Sequence, residues 1–568
     1  MADSYWNRFQ RRQMSRRRML AATGGAGVGL AGLTLVGCGD DDDDDEAAPE
    51  ETAEETGDDT EDDDEEAEAT ETPDDVPTGG TIRASTDVGF DSLDPHATVA
   101  GGLVVLPRVY NRLLTRAPAT TDEINYDLAT AFEQPDDVTY VFSLRDDVVI
   151  AANSFGVPER PMNVDDIVAS LDRNKADAVL NGHNFANVDH ASFGPAGPNE
   201  YQAVSSKVNA FFVDGYQFFH FPPIELIEAG TLQQEAVGGG PFVVEDFQEG
   251  QNVRIVRNPT YYVQPLPYVD AIELTIIPDR AARRTAFVDN QVDLYTPENT
   301  EEADQLLDQV QGINRRREVS QATTNVTLQV REGPFTDERV RRAILIGLNR
   351  QDFINRLEGE GNGELDTIVW SYFANYRLPD DEIEELQGYN PDEARSLLEA
   401  AGHGDGLSVE FIYPTPVSDE FVPVLLQQMA DIGVELRETP LDFATWLSRY
   451  QNGEFEFLLS PNLSYANPIS HLAFHQTDGP SENGNFWSGF SNPDVDAAID
   501  AIEAELNIEA QQELFFEAQR TILEAAPAYI PLFSAYTNTL IYDYIKGYRQ
   551  GEAPAVIWLT EFEFYIDR

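Results

Sequence analysis

His471 and His475 stand four residues apart in His-Leu-Ala-Phe-His, the helical spacing that would set two imidazoles over one metal ion. Such a site needs a third ligand, and no cysteine or well-placed neighbour supplies one. Paired carboxylates could work as general acid and base. Yet 102 of the 568 residues are Asp or Glu, so spacing singles out no pair. Nucleophile and phosphate chemistry lack their motifs: there is no Gly-x-x-x-x-Gly-Lys-Ser/Thr loop, no Gly-x-Ser-x-Gly elbow and no His-Glu-x-x-His helix. The single cysteine, Cys38, excludes intrachain disulfides and cysteine-based metal sites. The chemistry that remains open is chiefly binding.

The position of Cys38 explains it better than redox chemistry does. Arg11-Arg12 and Ser15-Arg16-Arg17-Arg18-Met19-Leu20 precede an uncharged, Gly-rich apolar stretch, Ala21 to Gly37, that is short for a membrane span. Ser-Arg-Arg-x-Met-Leu resembles a twin-arginine export signal, and Leu35-Val36-Gly37-Cys38 resembles a lipobox whose cysteine is lipidated. Residues 1–38 are therefore expected to be a signal with a lipid-anchor site. Residues 39–78 are Asp, Glu, Thr, Ala and Pro with almost nothing apolar. They cannot bury enough surface to offset ordering entropy and should form a self-repelling tether.

Formal net charge is −65. Asp40 to Asp75 contributes 23 acidic residues and no basic one, but 78 acidic against 31 basic residues remain from position 79 onward. Lysine occurs only at 175, 207 and 546, against 34 arginines. So acidic a field argues against nucleic-acid binding, which rests on Lys and Arg contacts to phosphate. It could attract a cationic solute. A hydrated surface suited to high salt accounts for it more simply, because at ~1 M salt the Debye length is only ~3 Å and long-range steering disappears.

The elements that must position any site are read most clearly from Gly238 to Leu294. A Gly turn leads to a strand, a turn at Glu249-Gly250-Gln251, and a second strand through Val253 and Ile255. After Tyr261-Tyr262 and a Pro-broken loop, Ile272, Leu274 and Ile276 alternate with Glu273 and Thr275 in a third strand, and a helix runs from Asp279 to Asn290. Further on, Thr336 can cap a helix through Val340, Ala343 and Ile344, and Asn390-Pro391 opens another that Gly402 stops. Strands over 407–413, 434–438 and 455–460 alternate with helices, which implies an α/β lobe. Asn492 caps a helix carrying Val495, Ile499 and Ile502.

This ordered set resembles the family 5 extracytoplasmic solute-binding proteins of ATP-binding cassette importers, the oligopeptide, dipeptide and nickel type. Tyr140-Val141-Phe142-Ser143-Leu144-Arg145, Pro334-Phe335-Thr336-Asp337-Glu338-Arg339-Val340-Arg341 and Ser491-Asn492-Pro493-Asp494-Val495-Asp496 match its segments; the match is poor from Asn181 to Gly230, where a run of aromatics reads as core. The resemblance implies a two-lobed α/β fold of the large periplasmic-binding-protein type, hinged on two crossover strands. Lobe I would take 79–115, 235–322 and 528–568, an inserted domain 116–234, and lobe II 323–527.

It further implies a monomeric substrate-binding lipoprotein, anchored through Cys38 on the outer face of the cytoplasmic membrane. It would take a peptide or another small polar organic solute in the cleft and deliver it to a membrane permease, with no cofactor and no catalysis. In peptide-binding members an aspartate before a Pro holds the ligand's ammonium; here counting back from Pro468 places Ser464 there, which weakens the oligopeptide assignment. Tyr465, Asn467, Asn485, Trp487, Trp370 and Tyr372 are the expected aromatic and amide contacts. The rival readings are a surface-tethered hydrolase using two carboxylates, a nickel or metal-chelate binder using His471 and His475, and a receptor that signals rather than imports.

Overall fold

A computed structural model of the chain describes residues 76–87, 92–97, 102–115, 125–176, 190–217, 219–320, 323–415, 421–460, 467–477, 488–547 and 564–567. The expected signal, Cys38 and all but the last residues of the tether lie outside the described residues.

The first sheet is built from the stretch that was clearest in sequence. Strand Thr81–Thr86 pairs in parallel with Ala271–Ile276, which pairs antiparallel with Asn252–Arg257, itself antiparallel to Phe242–Gln248. Ile272 and Leu274 face the core as the alternation predicts, while Glu273 binds Arg254 on the outer face. The glycine run before it is sterically required. A Cβ at Gly238 would meet the Val109 carbonyl oxygen at 2.5 Å, and one at Gly240 would meet it at 2.6 Å. The sheet can therefore close on the Gly102–Val109 helix only with glycine there.

A second, antiparallel sheet follows the order Ala129–Asp136, Thr139–Leu144, Glu200–Ser205, His190–Gly197. Phe132, Tyr140, Phe142, Tyr201, Phe212 and Tyr216 pack ring on ring against it. Its core is continuous with that of the first sheet. One residue of the same region is placed differently: Phe211 is buried in the other lobe, edge-on to Phe515 at 6.2 Å.

The third sheet is mixed and joins the lobes. Its centre is the long strand Tyr529–Tyr542, whose first half pairs with Thr324–Leu328 and whose second half pairs with Ile313–Val319. Ile530, Leu532 and Phe533 belong to one core, and Leu540 and Tyr542 to another with Phe287, Tyr295 and Leu306. Among the described residues the chain passes between the lobes from Ile313–Val319 to Thr324–Leu328 and again along the long strand, which gives the expected hinge of two crossover strands. Beyond Thr324–Leu328 lie Phe457–Leu459, Leu407–Thr415 and Val434–Asp442, mutually parallel. Helices Phe421–Asp431 and Phe443–Gln451 connect these three.

Local signals were mostly sufficient for the helices. Asn390 accepts from the Glu393 N–H with Pro391 at the first turn, and Asn492 accepts from Asp494 and Val495. The cap at 336 is a correction: Asp337, not Thr336, accepts from the Arg339 N–H, because Thr336 is held in a preceding 3₁₀ turn by its bond to the Gly333 carbonyl.

Candidate functional site

In an open sheet with parallel strands, ligands settle outside the carboxyl ends where neighbouring connections leave in opposite directions. Leu407–Thr415 and Phe457–Leu459 are such neighbours. The chain leaves the first toward Val434–Asp442 on one side, and leaves the second toward the long strand on the other. The segment after Leu459 is the one from which sequence expects contacts. Ser464 and Tyr465, and likewise Asn485 and Trp487, lie outside the described residues.

Of the remaining expected residues, Trp370 and Tyr372 gather about His471, and Asn467 forms the turn that precedes it. Trp370 stacks on His471 with centroids 3.9 Å apart, and its backbone N–H donates to His471 Nδ1 at 3.3 Å. Phe373 meets the same imidazole edge-on at 5.1 Å and carries Tyr372 against its own ring at 5.0 Å. Asn467 is buried, and its Oδ1 accepts from the Ser470 N–H at 3.2 Å and hydroxyl at 2.6 Å. That amide oxygen is committed to forming the turn into Ile469–Leu472.

His475 lies one turn beyond, edge-on to Phe490 at 6.2 Å and to Tyr529 at 6.0 Å. The helix tightens to 3₁₀ between the histidines. Burial pushes both imidazoles down to about 3, so both are neutral at pH 7; His475 adds to the effect on His471. Neutral imidazoles can ligate metal, but among the described residues no group of three His, Cys, Asp or Glu side chains surrounds them. Among those residues neither ring nitrogen of His475 has a hydrogen-bond partner.

Sequence reasoning missed Phe443 and Trp446. Asp442 ends its strand at the carboxyl edge and caps the next helix, accepting from the Thr445 N–H at 3.0 Å. Phe443 is thereby placed at the first helical position, 60% exposed, over the buried ring of Trp446 at 5.5 Å. Trp446 stacks in turn on Tyr450 at 5.8 Å, and its indole N–H has no partner among the described residues. In sequence, Phe443, Trp446 and Tyr450 read as one apolar helix stripe. Only the cap and the strand end show that the first of them faces outward.

A model of the bacterial extracellular solute-binding proteins, family 5, matches residues 123–484. Heme-binding protein A of Haemophilus influenzae is 26% identical over 489 residues, covering 78% of this chain and 85% of that protein. The dipeptide-binding protein of Escherichia coli is 24% identical over 475 residues, covering 78% and 86%. The solved structure of the periplasmic binding protein DppA from Helicobacter pylori, in complex with the peptide STSA, superposes with a TM-score of 0.73 at 20% identity, covering 87% of this chain and 99% of that one. With well over half of its length matched by the family model, and with the fold of the solved periplasmic binding proteins, this chain belongs to the family 5 extracellular solute-binding proteins.

Proposed function

We propose that this chain is the substrate-capturing lipoprotein of an ATP-binding cassette importer. It takes a peptide or another small polar organic solute between its lobes and presents the closed form to a membrane permease. The observation that carries the reading is the aromatic wall at the carboxyl edge: exposed Phe443 over Trp446, and Trp370 on His471. Aromatic walls bury ligand surface, and a few polar groups fix its orientation. The buried nitrogens of His475 and Trp446 that lack partners among the described residues suit that second role, since a buried polar group left unpaired costs ~1–3 kcal/mol. Relatives that bind heme, dipeptides and a tetrapeptide support an organic ligand over a bare ion. Lipidation at Cys38 would hold the receptor on the outer face of the cytoplasmic membrane, with the acidic segment as its tether.

Native mass spectrometry of the full-length protein, purified gently in high salt, tests the reading. A discrete added mass released on denaturation is expected, and Phe443→Ala should weaken rebinding of that solute about tenfold, the loss of ~1.4 kcal/mol of aromatic contact. Reproducible turnover of a peptide or glycoside would overturn it in favour of a two-carboxylate hydrolase. An added mass that contains metal and disappears in His471→Ala and His475→Ala would move the ligand class to a metal chelate.

A further inference from the structure

The turn that carries Trp370 and Tyr372 is fastened by a carboxylate that has no exposure at all. Asp366 Oδ1 accepts from the Ser371 N–H at 2.8 Å and from the Ser371 hydroxyl at 2.9 Å. Its Oδ2 accepts from the Ser534 hydroxyl at 2.6 Å, and the Thr323 hydroxyl donates to the carbonyl of the preceding residue, Phe533, at 3.1 Å. Arg350 donates to the Asp366 carbonyl at 2.9 Å from below.

The places of these partners in the fold matter more than their number. Thr324 pairs with Phe533, whereas Val319 pairs with Tyr536 and the Ser320 N–H donates to the Ala535 carbonyl. Ser534 and Ala535 are therefore the joint at which the long strand exchanges one partner for another. Thr323 is the residue at which the other crossover enters the second lobe. Ser371 opens the 3₁₀ turn Ser371–Tyr376, with Trp370 as its preceding residue on His471. One carboxylate thus ties the joint of the long strand to the aromatic wall, and the Thr323 hydroxyl ties the other crossover to the residue beside Ser534.

We propose that Asp366 is a positioning residue that couples the hinge to the ligand wall, so that a change of lobe angle and a shift of the Trp370–His471 pair occur together. A carboxylate suits the task because it accepts on both oxygens, and charge-assisted bonds are roughly twice as strong as neutral ones. Asparagine would offer one acceptor oxygen and could hold one side only. Burial raises the carboxyl's proton affinity, and the donors from Ser371 and Ser534 oppose that rise.

Amide hydrogen exchange on the full-length protein tests the coupling and requires no ligand, so its outcome is independent of which solute the cleft takes. Ser534→Ala removes the hinge arm alone. Exchange should rise about tenfold at 320–324 and 533–536 and, at a distance, in 370–376 and 469–475, with the 129–144 sheet unchanged as internal reference. Ser371→Ala, which keeps the backbone N–H, should raise exchange at 533–536 in return, since coupling is reciprocal. Faster exchange confined to the surroundings of each substituted serine would overturn the proposal. So would equal acceleration throughout the molecule, the mark of a general loss of stability.

Discussion

Among the described residues, His475 lies edge-on to two aromatic rings, Phe490 and Tyr529, in a buried pocket. A free imidazole takes up a proton near 6.5, whereas this one, held down to about 3 by burial, refuses it. As pH falls below 6.5 the unfolded chain therefore binds a proton that the folded chain does not, and stability drops by about 1.4 kcal/mol per pH unit for each such group until the folded value is reached. His471 follows the same course, and His96, lowered to about 4 mainly by burial, follows it over a narrower window. His475→Phe should leave the melting temperature at pH 8 within a few degrees of wild type while making its fall between pH 6.5 and 4 shallower. A melting curve against pH checks this, and parallel slopes would show that His475 charges without cost. Glu358 works in the opposite direction. Burial, with Glu298 adding to it, raises its carboxyl to about 7. Its contribution is full below the unfolded value near 4.5 and is lost as pH rises toward 7. Glu358→Gln should accordingly raise the melting temperature at pH 8 and leave it unchanged at pH 4.5 in a thermal scan.

At the scale of elements, the sequence was most legible where the deciding interaction is local. Asn390, Asn492 and Asp279 each bond to an N–H two or three residues on, and the alternation at 272–276 needs only the next residue to state which face is buried. The misplaced cap at Thr336 is a competition between adjacent side chains, decided when the Gly333 carbonyl takes the threonine hydroxyl. What could not be read depends on partners far away in the chain. Asp366 is one of 102 acidic residues, and nothing beside it reveals that Ser534, 168 positions later, completes its shell. Four of the seven expected contacts, Ser464, Tyr465, Asn485 and Trp487, lie outside the described residues, and Phe443 became visible only through the end of its strand. Phe211 is a similar case: a single aromatic in an aromatic run, yet among the described residues of that run it alone enters the second core. Around it the Ala210 N–H donates to the Glu503 carbonyl at 2.8 Å, and Lys207 pairs with the Glu503 carboxylate at 2.5 Å. Phe211→Ala should cost ~3–5 kcal/mol through the cavity it leaves. Because that cavity lies where two cores meet, calorimetry should also show one thermal transition becoming two. A single transition at the wild-type temperature would mean that the two cores melt together for other reasons.

For the whole molecule, charge and topology set the conditions of use. Arginines are spent on acidic partners: Arg160 binds both Asp166 and Glu225, Arg173 binds Asp94, and Arg520 binds Glu382. A planar fork that can grip a carboxylate with two bonds explains the preference for Arg over Lys in such pairs. These pairs cannot neutralise a formal charge of −65, so the compact state repels itself at low ionic strength. The melting temperature should climb as KCl is raised from ~0.01 to ~1 M, over which the Debye length shrinks from ~30 to ~3 Å, and level off above that. A flat response would show that the fixed pairs already compensate the field. The long strand has a further consequence, for the order in which the molecule is made. Its residues, 529–542, pair with three strands that begin more than two hundred positions earlier, and with the short strand Gly363–Leu365. At about 5–20 residues per second, the partners at 294–328 wait on the ribosome for roughly ten seconds or more before the strand that joins them is translated. During that interval their edges are open, and the two halves of the protein can assemble their separate cores but cannot yet be set against each other. The joint between the two halves is completed only when this last part of the sheet has been synthesised.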